Sequence, residues 1–284
     1  MKLKQLVTVI AVAVFCICGE ASAQTSYHQV RSATGKIIYN GKTFLIDPML
    51  AEKGRYEGFA GTINSGARNP LIELPESKEK VMGDVDAVVV THTHLDHWDE
   101  VAAQFIDKDI PVFVQDEADA ETIRGAGFKN VSVLSGSAKF GEVTLTKVEG
   151  THGTQEMYDD VQTAAALGET MGVIFSAPGE KTVYLLGDTV WTPRVSKTLR
   201  IYKPDVLIMN TGYAKLLGYN DSIIMGTEDV AKAAAFLPEA KIVAVHMDAI
   251  NHCTISRRDI KDLAKTLKIE DRVFVPEDGE TIDF

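Results

Sequence analysis

THTHLDH, residues 91–97, is the most informative motif of this sequence. Within six residues it places the four side chains His92, His94, Asp96 and His97. Imidazole and carboxylate groups suit Zn²⁺, Mn²⁺ or Fe²⁺, and no thiolate stands in the cluster. Satisfied surface or core histidines are the alternative, but clustered imidazoles repel one another as they become protonated. We therefore predict that these four side chains bind metal.

The motif follows an apolar, largely β-branched run, Val85–Val90. Such a run is typical of a strand that is buried on both faces. Because side chains alternate along extended backbone, His92 and His94 are expected to point to the same side. The turn that follows can bring Asp96 and His97 round to a second centre. The spacing therefore predicts two neighbouring metal positions.

Three more ligand candidates come directly after predicted strands. They are His152 after Val143–Val148, Asp188 after Thr182–Leu186 and His246 after Lys241–Val245. Loops gather at the ends of strands, and functional sites are often built from such loops. Together with the first four residues, these three supply the seven ligands that two metal ions need.

The rest of the chain alternates short strands with turns and a few helices. Asn40-Gly41 predicts a two-residue hairpin turn, and Pro178-Gly179 predicts a second turn. Residues 48–84 show no sustained period, which predicts a functional or mobile loop. Further strands are predicted at Lys36–Tyr39, Thr43–Asp47, Val112–Gln115, Val131–Leu134, Gly172–Ser176, Asp205–Met209 and Val273–Val275. Helices are predicted at Asp116–Arg124, from a Thr227 cap to about Leu237 and from a Ser256 cap to about Lys268. This order predicts one α/β domain with two sheets flanked by helices.

Composition narrows the class of protein. The 284 residues are 45% hydrophobic and 24% charged, so the chain can bury a full core and does not have the composition of a disordered protein. The formal net charge of −11 repels phosphate backbones, so nucleic acid is not expected as a partner. The expected partner is a small-molecule substrate, and self-association remains open.

The N-terminal segment has the pattern of a secretory signal. Two lysines in the first four residues precede the apolar run Leu6–Cys18, and Ala21-Ser22-Ala23 supplies a small-x-small cleavage site. This pattern predicts removal of residues 1–23 and a mature domain of residues 24–284. The expected location is periplasmic or secreted, without stable membrane association after cleavage. An uncleaved membrane anchor is the alternative.

Cleavage would also change the number of cysteines in the mature chain. Cys16 and Cys18 would leave with the signal, and Cys253 would remain alone. An exported chain with one cysteine has no internal disulfide, so its core must hold it together, with bound metal as a further support.

The block His92-x-His94-x-Asp96-His97, followed in order by a lone histidine, an aspartate and a final histidine, resembles the metallo-β-lactamase superfamily. The likeness covers residues 26–284 and implies a single-domain αββα sandwich with two divalent ions at one edge of the sheets. Zn²⁺ is the first choice, with Mn²⁺ or Fe²⁺ as alternatives. The resemblance implies that His92, His94 and His152 hold one ion, that Asp96, His97 and His246 hold the other, and that Asp188 bridges the two. Asp47-Pro48 and the long loop are similar to the branch of ascorbate-phosphate lactonase-like hydrolases.

Two divalent ions define the expected chemistry. A water shared by both ions loses its proton near neutral pH and becomes a hydroxide nucleophile. We therefore expect hydrolysis of a small ester or lactone, with Asp96 as a proton shuttle. His252 is a second catalytic candidate, as a base behind the ligands or a proton donor, and a packed histidine is the alternative. Tyr213 is considered as a donor to an oxyanion, against the alternative of a half-buried aromatic. The candidates for hydrogen bonds to the outward imidazole nitrogens are Asp99, Glu100 and Asp248.

Other functions remain as alternatives. A periplasmic β-lactamase or phosphodiesterase would use the same fold, but Asp188 argues against the first, because antibiotic-degrading members usually carry Cys or Ser at that position. A non-catalytic metal-binding or ligand-sensing module is an alternative of a different class, which seven intact ligands disfavour. Substrate choice is expected to rest on residues 48–84 and on the loop Gly153–Gly168.

Overall fold

The computed structural model describes residues 25–284, so the predicted signal peptide and its cleavage site lie outside the described residues. Within this range the strands are β1 (Ser26–Arg31), β2 (Thr34–Tyr39), β3 (Lys42–Ile46), β4 (Ala87–Val90), β5 (Val112–Val114), β6 (Val131–Val133), β7 (Ser137–Phe140), β8 (Val143–Glu149), β9 (Met171–Ser176), β10 (Val183–Leu185), β11 (Val206–Asn210), β12 (Lys241–Val245), β13 (Val273–Phe274) and β14 (Thr281–Asp283). The helices are α1 (Lys78–Met82), α2 (Glu100–Phe105), α3 (Glu117–Gly125), α4 (Gln155–Asp159), α5 (Val161–Leu167), α6 (Pro193–Tyr202), α7 (Thr227–Phe236) and α8 (Arg257–Leu267).

The strands form two sheets of seven. The first sheet has the order β14-β1-β2-β3-β4-β5-β6 and the second the order β13-β12-β11-β10-β9-β8-β7. In the first sheet, β3 to β6 run parallel and the other neighbours are antiparallel. In the second sheet, β10 to β13 run parallel and β7 to β10 are antiparallel. Each sheet thus combines a parallel half, which carries helical crossovers, with an antiparallel half.

The core is layered. Side chains from the facing surfaces of the two sheets, such as Phe44 and Phe175, pack together in the middle. One outer cluster joins α2 and α3 to the first sheet, and another joins α6, α7 and α8 to the second. Helix, sheet, sheet and helix follow one another, which confirms the predicted αββα sandwich.

Strand β4 shows why the motif sits where it does. All four of its residues are buried, with Val89 in the core between the sheets and Val88 and Val90 in the helical layer. Full burial of a valine contributes roughly 1.5–3 kcal/mol, so both faces resist a shift of register. The strand therefore fixes the point at which residues 91–97 leave the sheet.

The carboxyl ends of several strands share one edge of the sandwich. Strands β3 and β4 are parallel in the first sheet, and β10, β11 and β12 are parallel in the second. Strand β8 is antiparallel to β9, which is antiparallel to β10, so β8 runs in the same direction as β10. The loops that follow these strands consequently gather at the same edge.

The turn between β2 and β3 and the starts of α3 and α8 form where the local sequence predicts them. Asn40 and Gly41 have φ of 49° and 69°, as a type I′ hairpin turn between β2 and β3 requires. Asp116 caps α3, and Ser256 and Asp259 form a reciprocal capping box at the start of α8.

Several predicted elements need correction. Thr227 is the first residue of α7 and Gly226 is its N-cap, because the side chain of Asp229 accepts a hydrogen bond from the Gly226 N–H. The run Val273–Val275 is the last element predicted from the sequence, but a further strand, β14, follows it and pairs with β1. The predicted loop 48–84 contains the short helix α1. The bounds of the other predicted strands agree within two residues, with Lys241–Val245 matched at both ends and Val85–Val90 beginning at Ala87.

No helix among residues 25–284 has both the length and the apolar character needed to cross a bilayer.

Candidate metal centre

The seven side chains predicted as ligands meet at the edge where the strand ends gather. The four residues of the motif follow β4, and the other three follow β8, β10 and β12. Their nitrogen and oxygen atoms fall into three overlapping groups, each with all ligand atoms within 4.8 Å of one another. These groups are His92, His94 and His152; His92, His97 and Asp188; and Asp96, His97 and His246. We call the first of these the first trio and the last the second trio.

The first trio is held by hydroxyl and carbonyl groups. His92 Nε2 lies 2.9 Å from His94 Nδ1. On the outward side, His94 Nε2 lies 3.0 Å from the Ala166 carbonyl in α5, and His152 Nδ1 lies 2.9 Å from the Ile223 carbonyl. Carbonyl oxygens only accept, so each of these outward nitrogens carries the proton. The opposite nitrogen of each ring therefore presents its lone pair to the trio.

The second trio is held by side chains. His97 Nε2 lies 3.1 Å from His246 Nε2, and Asp96 Oδ2 lies 3.4 Å from the same His246 atom. Behind the ligands, His97 Nδ1 donates to Asp47 Oδ2 over 2.9 Å, and His246 Nδ1 lies 3.3 Å from Ser32 Oγ. A carboxylate behind a histidine is the partner that metal-binding imidazoles commonly have.

Asp188 stands between the two trios. Its Oδ2 atom lies 3.7 Å from His152 Nε2 in the first trio, and 3.2 Å and 3.7 Å from the Nε2 atoms of His97 and His246 in the second. Its other oxygen accepts a hydrogen bond of 2.6 Å from the amide of Asn210 at the end of β11. Because Asn210 bonds to Oδ1 of Asp188, Oδ2 is the oxygen that faces both trios.

The residues fit divalent cations of the zinc type. Five imidazoles and two carboxylates converge, and all seven except His94 are buried. The outward nitrogens of His94, His97 and His152 are occupied by acceptors, so their inward nitrogens are available as ligands. Neutral imidazole and carboxylate are the donors that Zn²⁺, Mn²⁺ and Fe²⁺ share. The clusters are therefore able to bind metal.

The pKa values of the histidines differ between the two trios. Burial lowers the pKa of His152 to about 4, and burial with the neighbouring His97 and His94 holds the pKa of His92 well below its usual range. Burial also opposes charge on His97, but Asp188, Asp47 and Asp96 outweigh it and raise the pKa of His97 to about 10.

The charge of the second trio comes from its carboxylates. Burial opposes charge on His246, but Asp188 and Asp96 outweigh it and raise the pKa of His246 above its usual range. His97 and His246 in turn overcome the burial of Asp188 and hold its pKa well below its usual range. In the absence of a cation, protons on these imidazoles neutralise the carboxylates.

Backbone geometry at the strand ends is unusual. Asp47 and His246 have φ of 44° and 63°, in the left-handed region that non-glycine residues rarely adopt. Gly187, just before Asp188, has φ of 67°, and a Cβ there would come within 2.4 Å of the Met171 carbonyl. Strained positions concentrate at functional sites, and here each one directs a side chain into or behind the centre.

The supporting residues differ from those predicted. Asp99 caps α2, Glu100 pairs with Arg55, and Asp248 pairs with Arg257, so these three do not contact the imidazoles. They lie near the ligands in sequence, but the chain turns them into helix caps and ion pairs. Besides main-chain carbonyls and Ser32, the partners behind the predicted ligands are Asp47, at the end of β3, which accepts from His97, and Asn210, at the end of β11, which donates to Asp188. The signal that could have identified them is their position at strand ends, which the ligand candidates share.

Tyr213 does not line the cavity beside the ligands. It has φ of 48° and lines a separate surface depression with Trp191. The prediction that it donates a hydrogen bond to an oxyanion is therefore wrong, and the reading as a half-buried aromatic holds.

A cavity of about 220 Å³ opens onto the ligand groups. Its wall includes residues of the loop 48–84 and of the loop Gly153–Gly168, the two segments expected to govern substrate choice. The wall is largely apolar, with Phe59, Ala60, Leu95, Leu167, Leu216 and Ile223 among its residues. His252 also lines it, and burial lowers the pKa of His252 to about 4. Among residues 25–284, the lining includes no lysine or arginine.

Comparison with known proteins identifies relatives over most of the chain. The family described as Beta-lactamase superfamily domain matches residues 42–247. A curated relative from Bacillus subtilis (strain 168), named UPF0173 protein YddR, is 42% identical over 256 residues, which cover 90% of this chain and 98% of the relative.

Two solved structures are similar throughout. A possible metal-dependent hydrolase from Veillonella parvula DSM 2008 is 52% identical with a TM-score of 0.91, and the match covers 92% of this chain and 100% of that one. An isothiocyanate hydrolase from Delia radicum gut bacteria is 45% identical with a TM-score of 0.88, over 91% of this chain and 99% of that one.

Proposed function

Because the chain belongs to the beta-lactamase superfamily and is a metal-dependent hydrolase of that fold, we propose that it uses two divalent cations to hydrolyse a small, uncharged carbon electrophile. The first trio would hold one cation and the second trio the other, with Asp188 shared. Zn²⁺ is the proposed ion, as the five imidazoles favour it. When bound, the cations would supply Lewis acidity and water acidified to near neutral pH.

The observation that carries the substrate class is the cavity. Its wall next to the ligand groups is largely apolar, and within residues 25–284 no cationic side chain lines it to receive a carboxylate or a phosphate. An anionic group bound away from the proposed cations would lose its hydration there with no positive side chain in return. A cavity of about 220 Å³ also favours a small molecule. A neutral, lipophilic substrate is therefore preferred to a β-lactam or a phosphodiester.

Isothiocyanates are the proposed substrates. They are small, uncharged and electrophilic at the central carbon, and one of the similar structures is that of an isothiocyanate hydrolase. Hydrolysis of R–N=C=S by one water gives the amine R–NH₂ and carbonyl sulfide, so every atom is accounted for. A small ester or lactone is the second candidate, because its carbonyl carbon is also neutral and fits the same apolar wall.

The chain's own residues would act around this reaction as follows. The apolar residues Phe59, Leu216 and Ile223 exclude bulk water from the bound substrate. Asp96 lines the cavity, and the carboxylate oxygen that does not face His246 would accept a proton from the attacking water. Asn210 and Asp47 keep Asp188 and His97 in position through hydrogen bonds of 2.6 Å and 2.9 Å. Preorganised groups of this kind reduce the reorganisation needed in the transition state.

An exported location completes the proposal. The basic start, apolar run and small-x-small site of residues 1–23 support removal of a signal peptide and action outside the cytoplasm. A neutral, lipophilic substrate can reach an enzyme in that compartment without a dedicated transporter.

The test is a substrate panel with the zinc-loaded protein. Benzyl isothiocyanate, γ-butyrolactone, nitrocefin and bis(p-nitrophenyl) phosphate are compared under matched conditions, with amine and carbonyl sulfide measured for the first. We expect kcat/KM to be highest for the isothiocyanate, then the lactone. His94→Ala serves as the control that assigns activity to the centre, and it should lose activity together with the cation of the first trio. A clear preference for nitrocefin or the phosphodiester would refute the proposed substrate class.

A further inference from the structure

His252 is a buried polar side chain that the metal centre does not use. Only 6% of the residue is exposed, yet it lines the cavity together with Asp96 and Asp188. Its ring meets the Phe59 ring edge to face, with the centroids 5.1 Å apart and the planes at 89°. Its Nδ1 atom is buried and has no hydrogen-bond partner among the described residues.

The position of this ring is fixed by its neighbours. The main-chain carbonyl of His252 accepts a hydrogen bond from the Lys215 N–H. The preceding residue, Asn251, bonds through its side chain to Thr62 Oγ1 over 2.9 Å and to Asn69 Nδ2 over 2.7 Å. These contacts tie the segment to the loop that carries Phe59. The imidazole is therefore held rigidly against the cavity wall.

The ring has one nitrogen free to act. A neutral imidazole carries its proton on one nitrogen and a lone pair on the other. Nδ1 is enclosed and has no acceptor, so a proton there would lose its hydration without compensation. The proton is better placed on Nε2, the other nitrogen of a ring that lines the cavity. His252 then presents a fixed N–H donor in a wall that is otherwise largely apolar.

We propose that His252 donates a hydrogen bond from Nε2 to the substrate heteroatom that takes up electrons during hydrolysis. For an isothiocyanate this atom is the nitrogen, and for an ester it is the carbonyl oxygen. The proposal rests on the proposed function and adds to it a residue that contacts the substrate. Such a donor favours substrates with a heteroatom directly bonded to the electrophilic carbon.

The step is balanced. As the water oxygen bonds to the central carbon, one water proton goes to Asp96, and the C=N π pair moves to nitrogen. The His252 N–H stabilises that pair, and nitrogen then takes the proton from Asp96. Transfer of the remaining water proton to nitrogen and rupture of the C–N bond release the amine and carbonyl sulfide. His252 keeps its own proton throughout.

Two substitutions test the donor. His252→Phe keeps a ring against Phe59 but removes the N–H, whereas His252→Gln retains an N–H group at a similar distance from the backbone. We expect His252→Phe to lower kcat on benzyl isothiocyanate by on the order of 10²-fold with little change in KM, as loss of one preorganised donor does. His252→Gln should restore much of that loss. Both variants should hold as much zinc as the wild type by elemental analysis.

The control is His28→Gln, the same change at a histidine that bonds to Thr281 and Glu76 outside the cavity, and it should match the wild type. Wild-type kcat in His252→Phe, loss of zinc in that variant, or equal defects in His252→Phe and His252→Gln would each overturn the proposal. A wild-type protein that is inactive on isothiocyanates and esters would instead refute the proposed function. The two failures are thus distinguishable.

Discussion

The two trios of the metal centre lie side by side but are supported in different ways. In the first, the outward nitrogens of His94 and His152 donate to main-chain carbonyls. In the second, the outward nitrogen of His97 donates to the carboxylate of Asp47. The pKa of His152 is lowered to about 4 by burial, whereas that of His97 is raised to about 10, since three carboxylates outweigh its burial.

If each trio holds a cation, as we propose, this difference predicts that the two positions have different properties. Burial keeps His92 and His152 of the first trio neutral, so these imidazoles need no proton loss before a cation binds, and the carbonyl groups behind His94 and His152 add no net charge. Carboxylate support gives the second trio an excess of negative charge, which protons on His97 and His246 balance until a cation replaces them. We therefore expect the second position to depend more strongly on pH and on supporting carboxylates.

The largest effect should come from the residue that both trios share. Asp188→Ala removes the carboxylate that offsets repulsion between two cations, so both trios should bind metal more weakly. We expect kcat to fall on the order of 10²-fold or more, about 3 kcal/mol of barrier. Zinc content and kcat on the best substrate are the measurements.

A matched control is Asp262→Ala, because Asp262 is an exposed aspartate of α8 whose ion pair with Arg258 lies on the surface. It should leave zinc content and kcat unchanged. Full zinc content together with wild-type kcat in Asp188→Ala would show that the trios do not depend on a shared carboxylate.

A smaller effect is expected where only the second trio is changed. Asp47 accepts from the Thr91 N–H with Oδ1 and from His97 Nδ1 with Oδ2, and Asp47→Asn replaces one of these two oxygens by an amide NH₂ that cannot accept and removes the negative charge. We expect affinity for the second cation to fall about 10- to 100-fold, with the first nearly unchanged. Metal titration against a competing chelator measures both steps.

Asp119→Asn is the comparison for that experiment. Asp119 is also buried and bonds to Thr93 of the motif, but it does not contact a ligand imidazole through a hydrogen bond. Two outcomes would contradict the assignment of Asp47 to the second trio. One is that Asp47→Asn lowers the affinity for both cations equally, and the other is that both variants lower the affinity for the second cation.

The smallest effect is the number of protons released on metal binding. At pH 7 His97, with a pKa of about 10, is protonated before a cation arrives, whereas His152, with a pKa of about 4, is not. His94→Ala leaves the second trio intact and His246→Ala leaves the first intact. Calorimetric titrations in buffers of different ionisation enthalpy should show more protons released per Zn²⁺ in His94→Ala. The affinity of that variant should rise with pH up to about pH 10, and equal release in both would contradict the division.

The side chains that converge at the candidate metal centre were accessible from sequence because their signals are local. Residues 91–97 carry four candidates in one turn, and His152, Asp188 and His246 each follow an apolar run that reads as a strand. The two-sheet sandwich with outer helices also follows from the order of elements. The membership of the superfamily is confirmed, and the finer likeness to ascorbate-phosphate lactonase-like hydrolases stays a prediction.

The supporting contacts were not accessible because they depend on which strands become neighbours. Asp47 is 50 positions from His97, and the parallel pairing of β3 with β4 brings them together. Asn210 reaches Asp188 through the parallel pairing of β10 with β11. Tyr213 also follows β11, but it lines a separate surface depression and not the cavity beside the predicted ligands. Proximity in sequence favoured Asp99 and Glu100, which the fold uses as a helix cap and an ion pair.

Each trio takes ligands from both sheets: His92 and His94 from the first with His152 from the second, and Asp96 and His97 from the first with His246 from the second. A bound cation would therefore be a cross-link between the two halves of the sandwich. It would close a loop between distant parts of the chain, as a disulfide does, in a range (25–284) that contains a single cysteine. The stability of this edge would then depend on metal occupancy. The ions used in catalysis would also limit how far the two sheets can separate there.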